Sequence, residues 1–336
     1  MHQYNIKNSK IFITGGAGFI ASHMTRILAR DNEVILYDNL HNNAYKNTNL
    51  KSNSNVKLIQ ADILDLNTLK KSIDPDVEYV IHSAAIAGVT TVNSDPTRTL
   101  RVNIIGTFNI LDAIQHLTHL KKFVEFSTSE VFGQCSYKSK EHEINPKLVI
   151  HERRWTYAMS KLAGEFITHA YHLKHDLPTV TVRPFNIYGP NQVGVGAIHH
   201  FILQALKNET LYINNDGTQI RSWCYVDDFV HGLLLALSSP ESIGKTYNIG
   251  TPISAITVFE LAKLIISLTN SRSQIENRKI NYEDVHVRIP DIDSIRNDLN
   301  FEPLIALDEG LKRTITWYKN NILIRKKMTE MESCEI

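Results

Sequence analysis

Tyr157 and Lys161 stand four residues apart in a stretch with helical periodicity, 157–173, so both side chains fall on one face. A phenol with a reference pKa of about 10 is a weak base at neutral pH, and a cation one turn away favours its ionised form. Such a pair can take a proton from a sugar hydroxyl while hydride leaves the same carbon. Ser127, Thr128, Ser129 and Glu130 close a strand-like run that starts at Phe123, and they bring hydroxyls and a carboxylate to a strand end.

Proton transfer of this kind needs a hydride acceptor, and the N-terminus supplies a place for one. Gly15, Gly16 and Gly18 lie between an apolar run, Ile11 to Ile13, and a helical pattern, Phe19 to Ala29. Glycine there lets the chain turn sharply and lets a pyrophosphate approach backbone N–H groups at the positive end of a helix. A second strand, Glu33 to Tyr37, ends at Asp38, where an acid receives ribose hydroxyls and repels a 2′-phosphate. NAD is therefore expected rather than NADP.

Further strands are expected at Val56 to Gln60, Tyr79 to Ile81 and Phe123 to Ser127, alternating with helices. Alternation implies an α/β fold with a doubly wound parallel sheet of Rossmann type, whose ligands bind beyond the carboxyl ends of the strands. Asp62, His82, Ala84 and Ala85 follow such ends, as does the run from Ser127 to Glu130. Asn103 opens a helical segment, 103–113, where a polar residue ordinarily satisfies nearby backbone.

Composition narrows the remaining classes. A formal net charge of +1 over 336 residues leaves no electrostatic footprint for nucleic acid or an anionic membrane. The three cysteines, Cys135, Cys224 and Cys334, lack metal-ligand spacing and suit a reducing compartment. No apolar run approaches the ~20 residues that span a bilayer, and a cytoplasmic location is expected. No metal is expected.

From about residue 9 to 320 the chain resembles the extended short-chain dehydrogenase/reductases that modify nucleotide sugars. The resemblance rests on TGGAGFIAS (14–22), Asp38, Asp62-Ile63, HSAA (82–85), STSEVFG (127–133), YAMSK (157–161), RPFNIYGP (183–190) and RSWCYVDD (221–228). It implies NAD contacts at Gly15, Gly18, Phe19, Ile20, Asp38, Asn39, Asp62, Ile63, Ala84, Ala85 and Asn103, with Tyr157 and Lys161 completing the set. Tyr157 would be the catalytic base, Lys161 would hold the nicotinamide ribose and lower the tyrosine pKa, and Thr128 would bond the sugar's C4 hydroxyl. Ser129, Asn186, Arg221 and Arg288 would meet the substrate, the arginines pairing with a diphosphate. Ala21 replaces the last glycine of the usual fingerprint, a tolerated change at a helix-packing position. The same resemblance implies an NAD-binding domain over 1–180 and a smaller C-terminal nucleotide-sugar lobe over 181–323, from which some strands return to the sheet. Residues 324–336 read as a solvated tail. A homodimer is implied, pairing the helices at 103–116 and 157–173.

The reaction divides on Glu130. Simple C4 epimerases of the family usually carry a small or apolar residue there, whereas a 4,6-dehydratase uses a glutamate to remove the C5 proton and expel the C6 hydroxyl. The TSE order resembles GDP-mannose dehydratases; the dTDP-glucose type has aspartate in place of Ser129. UDP-glucuronate decarboxylases also carry TSE, and RW before the tyrosine resembles a bacterial member of that group. AIAGVTTV (85–92) resembles dehydratases of antibiotic sugar pathways, 5,6-dehydratases included. An NAD-dependent nucleotide-sugar dehydratase is the main expectation, with a decarboxylase or C4 epimerase as alternatives. A non-catalytic NAD-binding regulator is the alternative of another class.

Overall fold

The computed structural model describes residues 4–144 and 150–334, with residues 322–334 described by their helical backbone alone. Five apolar segments form the first strands: β1 (Lys10–Thr14), β2 (Glu33–Asp38), β3 (Val56–Gln60), β4 (Tyr79–His82) and β5 (Lys122–Phe126). β1, β4 and β5 are buried along almost their whole length, as strands covered on both faces require. Together with Thr179–Pro184 and Thr246–Ile249 they make one seven-stranded parallel sheet. Its order is Thr246–Ile249, Thr179–Pro184, β5, β4, β1, β2, β3. The order reverses direction at β1, and the crevice opens beside it, above the carboxyl ends of β1 and β4.

One apolar cluster covers each face of the sheet. Helix Phe19–Leu28 and helix Val226–Ser238 pack with Ile11, Ile13, Leu36 and Val182 on one side, while Ile110, Leu111 and Ile114 join Phe12, Val80 and Phe123 on the other. Asp228 fixes the second layer to the chain's last third by accepting from the N–H groups of Leu304 and Ile305, at 3.0 and 2.9 Å.

The second half also builds a four-stranded mixed sheet in the order Ala255–Thr257, Ile220–Ser222, Val287–Pro290, Cys135–Ser139. This sheet carries Arg221 and Arg288 side by side in register. The expected boundary at residue 180 passes through the strand Thr179–Pro184, so the two lobes share one sheet at that edge. The expected tail lies partly in regular structure: the last helix runs unbroken from Leu307 to Cys334. The side chains of residues 322–334, Cys334 included, and residues 335–336 lie outside the described residues.

Asn103 does not begin a helix. Helical backbone starts at Pro96, capped by the Asp95 carboxylate, and passes through a wide turn, Arg101–Ile105, before continuing as Gly106–Ile114. Such i→i+5 turns re-aim side chains within a helix. Asn103 stands at the centre of this one.

Candidate active site

The glycine turn is pressed against the end of β4. Gly15 has φ +68°, and a Cβ there would lie 2.7 Å from the Ala84 nitrogen, so only glycine fits. Gly18 donates to the Gly15 carbonyl at 3.0 Å and precedes helix Phe19–Leu28. No side chain caps that helix, which leaves its first N–H groups for an anion. Asp38 braces the turn: its carboxylate accepts from Ala17 N at 3.0 Å and from Leu40 N at 2.6 Å. Burial pushes its carboxyl up, and these two bonds oppose the shift.

Gly15, Gly18, Phe19 and Asp38 line a crevice of ≈ 470 Å³. Asn39, Asp62, Ile63, Ala84 and Ala85 complete it. The bare helix terminus suits a pyrophosphate, Asp38 suits a ribose diol, and the flush glycine lets a ligand reach the backbone. These residues fit NAD.

A second crevice of ≈ 430 Å³ adjoins the first, and Phe19, Ser83 and Ala85 line both. Thr128, Ser129, Glu130, Tyr157 and Lys161 open into it, together with Ile20. The strand end and the helix Trp155–His175 thus bring together the residues that sequence spacing had paired. Thr128 extends from β5, and its hydroxyl accepts from Glu130 N at 3.2 Å, which turns the chain and aims the glutamate. Burial raises the Tyr157 phenol above its ordinary value, and the nearby Glu130 carboxylate adds to the rise. A hydrogen bond with Thr128 opposes both. Lys161 meets Glu125 at 2.9 Å, in a pair 2% and 0% exposed.

Three guanidinium groups make the opposite wall. Arg288 is buried and donates to the carbonyls of Ser129 and Gly133, which clamps the loop that bears Glu130. Burial lowers Arg288 to about 9 and Arg221 to about 10, both still charged at neutral pH. Arg221 lies 3.4 Å from Asp284, and Arg154 reaches the same oxygen at 2.8 Å. Asn186, at φ +45°, donates to the Ser222 carbonyl at 2.9 Å and so ties its turn to the Arg221 strand.

Arg154 entered the sequence reading only within the RW that precedes Tyr157 and was given no role in the site. Glu125 was missed as well. Its signal was an acid inside the apolar strand KFVEF, where burial demands a partner. Asn103, expected at the cofactor, is 1% exposed and does not line the crevice. Its amide accepts from Ile86 N at 2.8 Å and donates to Ile86 O and the Ser160 hydroxyl at 3.0 and 2.9 Å. It therefore shapes the wall from behind, which is the backbone-satisfying role open to such a residue.

Similarity to known proteins places the chain in a class. The model of the NAD dependent epimerase/dehydratase family matches residues 11–250, and the chain belongs to that family. Its cofactor is accordingly NAD, in agreement with the fit of the first crevice. Over 325 residues the chain is 32% identical to UDP-glucuronic acid decarboxylase 1 of Arabidopsis thaliana, covering 94% of this chain and 71% of the relative. It is 34% identical to the dTDP-D-glucose 4,6-dehydratase of Bos taurus over 325 residues, 93% of this chain and 89% of that one. Among solved structures, UDP-glucuronic acid 4-epimerase from Bacillus cereus, in complex with UDP-glucuronic acid and NAD, superposes with a TM-score of 0.84 at 31% identity. That match covers 93% of this chain and 99% of the other. These relatives are enzymes, and their names divide among decarboxylase, 4,6-dehydratase and 4-epimerase. Among the described residues no helix is long and apolar enough to cross a membrane.

Proposed function

We propose that the protein is an NAD-dependent nucleotide-sugar dehydratase of the 4,6- or 5,6-type, and hence a lyase. The observation that carries this reading is the convergence of Tyr157, Thr128 and Glu130 on one crevice walled by arginines. Held along the first crevice, NAD would supply the acceptor for the C4 hydride and the donor that returns it to the sugar after elimination, with no net change in its oxidation state. Tyr157 takes the proton of the sugar's C4 hydroxyl, and Thr128 holds that oxygen. A ketone at C4 acidifies the C5 proton, which brings it within reach of a carboxylate base. Glu130 takes that proton and passes it to the departing C6 hydroxyl, which leaves as water. Arg154, Arg221 and Arg288 offer charge and planar N–H pairs to the substrate diphosphate. Ser129 and Asn186 complete the substrate contacts.

A second reading has one observation in its favour. Two buried guanidinium groups, Arg154 and Arg288, and the partly buried Arg221 have Asp284 and Glu130 as their acidic neighbours among the described residues. That surplus suits a sugar bearing a carboxylate besides its diphosphate, as a decarboxylase would require. A C4 epimerase would leave Glu130 without a task, and a non-catalytic regulator would leave Tyr157 and Lys161 without one as well. Glu130→Gln separates these: it should keep substrate binding and lose elimination, whereas unchanged turnover would leave dehydration without its base.

The proposed assembly is a homodimer. Met159, Phe166 and Leu173 recur every seven residues on helix Trp155–His175 and are exposed, as are Ile105 and Phe108 on the neighbouring helical segment. Pairing those helices with a second copy would bury them. We place the protein in the cytoplasm, on the strength of its free cysteines Cys135 and Cys224.

A further inference from the structure

Glu125 is the one acid in the middle of the central sheet, and nothing in the reaction proposed above uses it. It lies on β5 between His82 of β4 and Thr181 of the next strand. Its side chain is fully buried, and Oε1 receives the Lys161 ammonium at 2.9 Å. Room for the carboxylate exists because residue 164, one turn beyond Lys161, is glycine: a Cβ there would lie 3.1 Å from Glu125 Oε1. Oε2 has no protein hydrogen-bond partner. Buried ion pairs repay their desolvation poorly, so an apolar residue would serve a purely structural end better at this position.

We propose that Glu125 is a positioning residue that fixes the Lys161 ammonium at the crevice it shares with Tyr157 and sets the pH at which the phenol gives up its proton. The proposal rests on reading Tyr157 and Lys161 as the acid–base pair. An ammonium has three donors, and Glu125 takes one of them from behind, leaving the others for the crevice that Lys161 lines. The carboxylate also opposes ionisation of the phenol, as a second negative charge after Glu130.

The other charged and titratable neighbours do not take over this task. Glu165, on the helix of Lys161, is held by the Arg183 guanidinium at 2.8 and 2.7 Å and by the Ser127 hydroxyl. His82 bonds Thr14 and Thr107 at 2.7 and 3.2 Å, and burial with the nearby Lys161 charge keeps its ring neutral. Glu130 faces the phenol from the loop after β5, on the crevice side. Glu125 alone touches the ammonium among the described residues.

The test is Glu125→Gln, which keeps an acceptor of the same shape and removes the charge, in the full chain loaded with NAD. The ionisation of Tyr157 is read without any substrate, from the tyrosinate absorbance lost when Tyr157→Phe is added to each background. In Glu125→Gln the Tyr157 step should move to lower pH, by about one unit. Glu125→Asp, which withdraws the carboxylate from the ammonium, should move it in the same direction and serves if the glutamine variant does not fold. Lys161→Met should lower the melting temperature by stranding a buried carboxylate, and adding Glu125→Gln to it should restore much of the loss. A Tyr157 step that stays in place in a folded Glu125 variant overturns the proposal. Failure of the catalytic reading shows elsewhere, as undiminished turnover by Tyr157→Phe.

Discussion

Tyr157 works against its surroundings. Burial and the Glu130 carboxylate both keep its proton on, and the Thr128 hydrogen bond gives only partial relief. As a base the phenol is useful in its ionised form, so activity should climb with pH along the acid limb of the kcat profile and level off once the phenol is ionised. A profile that falls over that range would remove the phenolate from the mechanism. Tyr157→Phe should lower kcat by about 10²–10⁴-fold, the usual share of a positioned proton acceptor. Glu130→Gln should keep the affinity for a nucleotide sugar, measured by calorimetry, while dehydration drops about 10²-fold or more. At this scale the sequence was readable where chemistry concentrates in short motifs: Thr128, Glu130, Tyr157 and Lys161 do share a crevice. It was unreadable where partners come from distant strands. Nothing local to Glu125 announces Lys161, and nothing near Arg154 announces Asp284, because both pairs exist only once separate elements meet.

Elements place these residues with little freedom. β1 hands the chain to helix Phe19–Leu28 through a turn that touches β4, and Gly15 is the point of contact. Gly15→Ala should therefore cost about 1–3 kcal/mol from the left-handed backbone alone and weaken NAD binding further by pushing back the Ala84 segment. Chemical denaturation and an NAD titration measure the two effects separately; unchanged values in both would contradict the tight turn. Strands were the most legible elements, since continuous apolar runs such as IFI and YVI fit a sheet covered on both faces. The helix around Asn103 was less so. Its periodicity shows from 103 onward, but the structure begins it at Pro96 and inserts a wide turn, which hydrophobic spacing at 3.6 residues cannot reveal.

For the whole molecule, the parallel sheet and its crevice follow from alternation and the glycine turn, while the four-stranded sheet depends on pairings between distant segments, Cys135–Ser139 with Val287–Pro290 among them. That long-range pairing sets Arg221 beside Arg288 and forms the wall of the substrate crevice. Assembly is a separate matter of surface. Phe166→Glu, which puts a charge in the middle of the exposed stripe on helix Trp155–His175, should convert a dimer to a monomer in light scattering; a wild-type protein that is itself monomeric would refute the proposed pairing. The central claim is elimination of water from a nucleotide sugar through Tyr157 and Glu130. Its most direct test is the mass of the product when purified protein is incubated with UDP-, GDP- and dTDP-sugars, UDP-glucuronate among them. The account predicts loss of one water from one donor, with no net consumption of NAD. Loss of carbon dioxide, or a new isomer of unchanged mass, would contradict it.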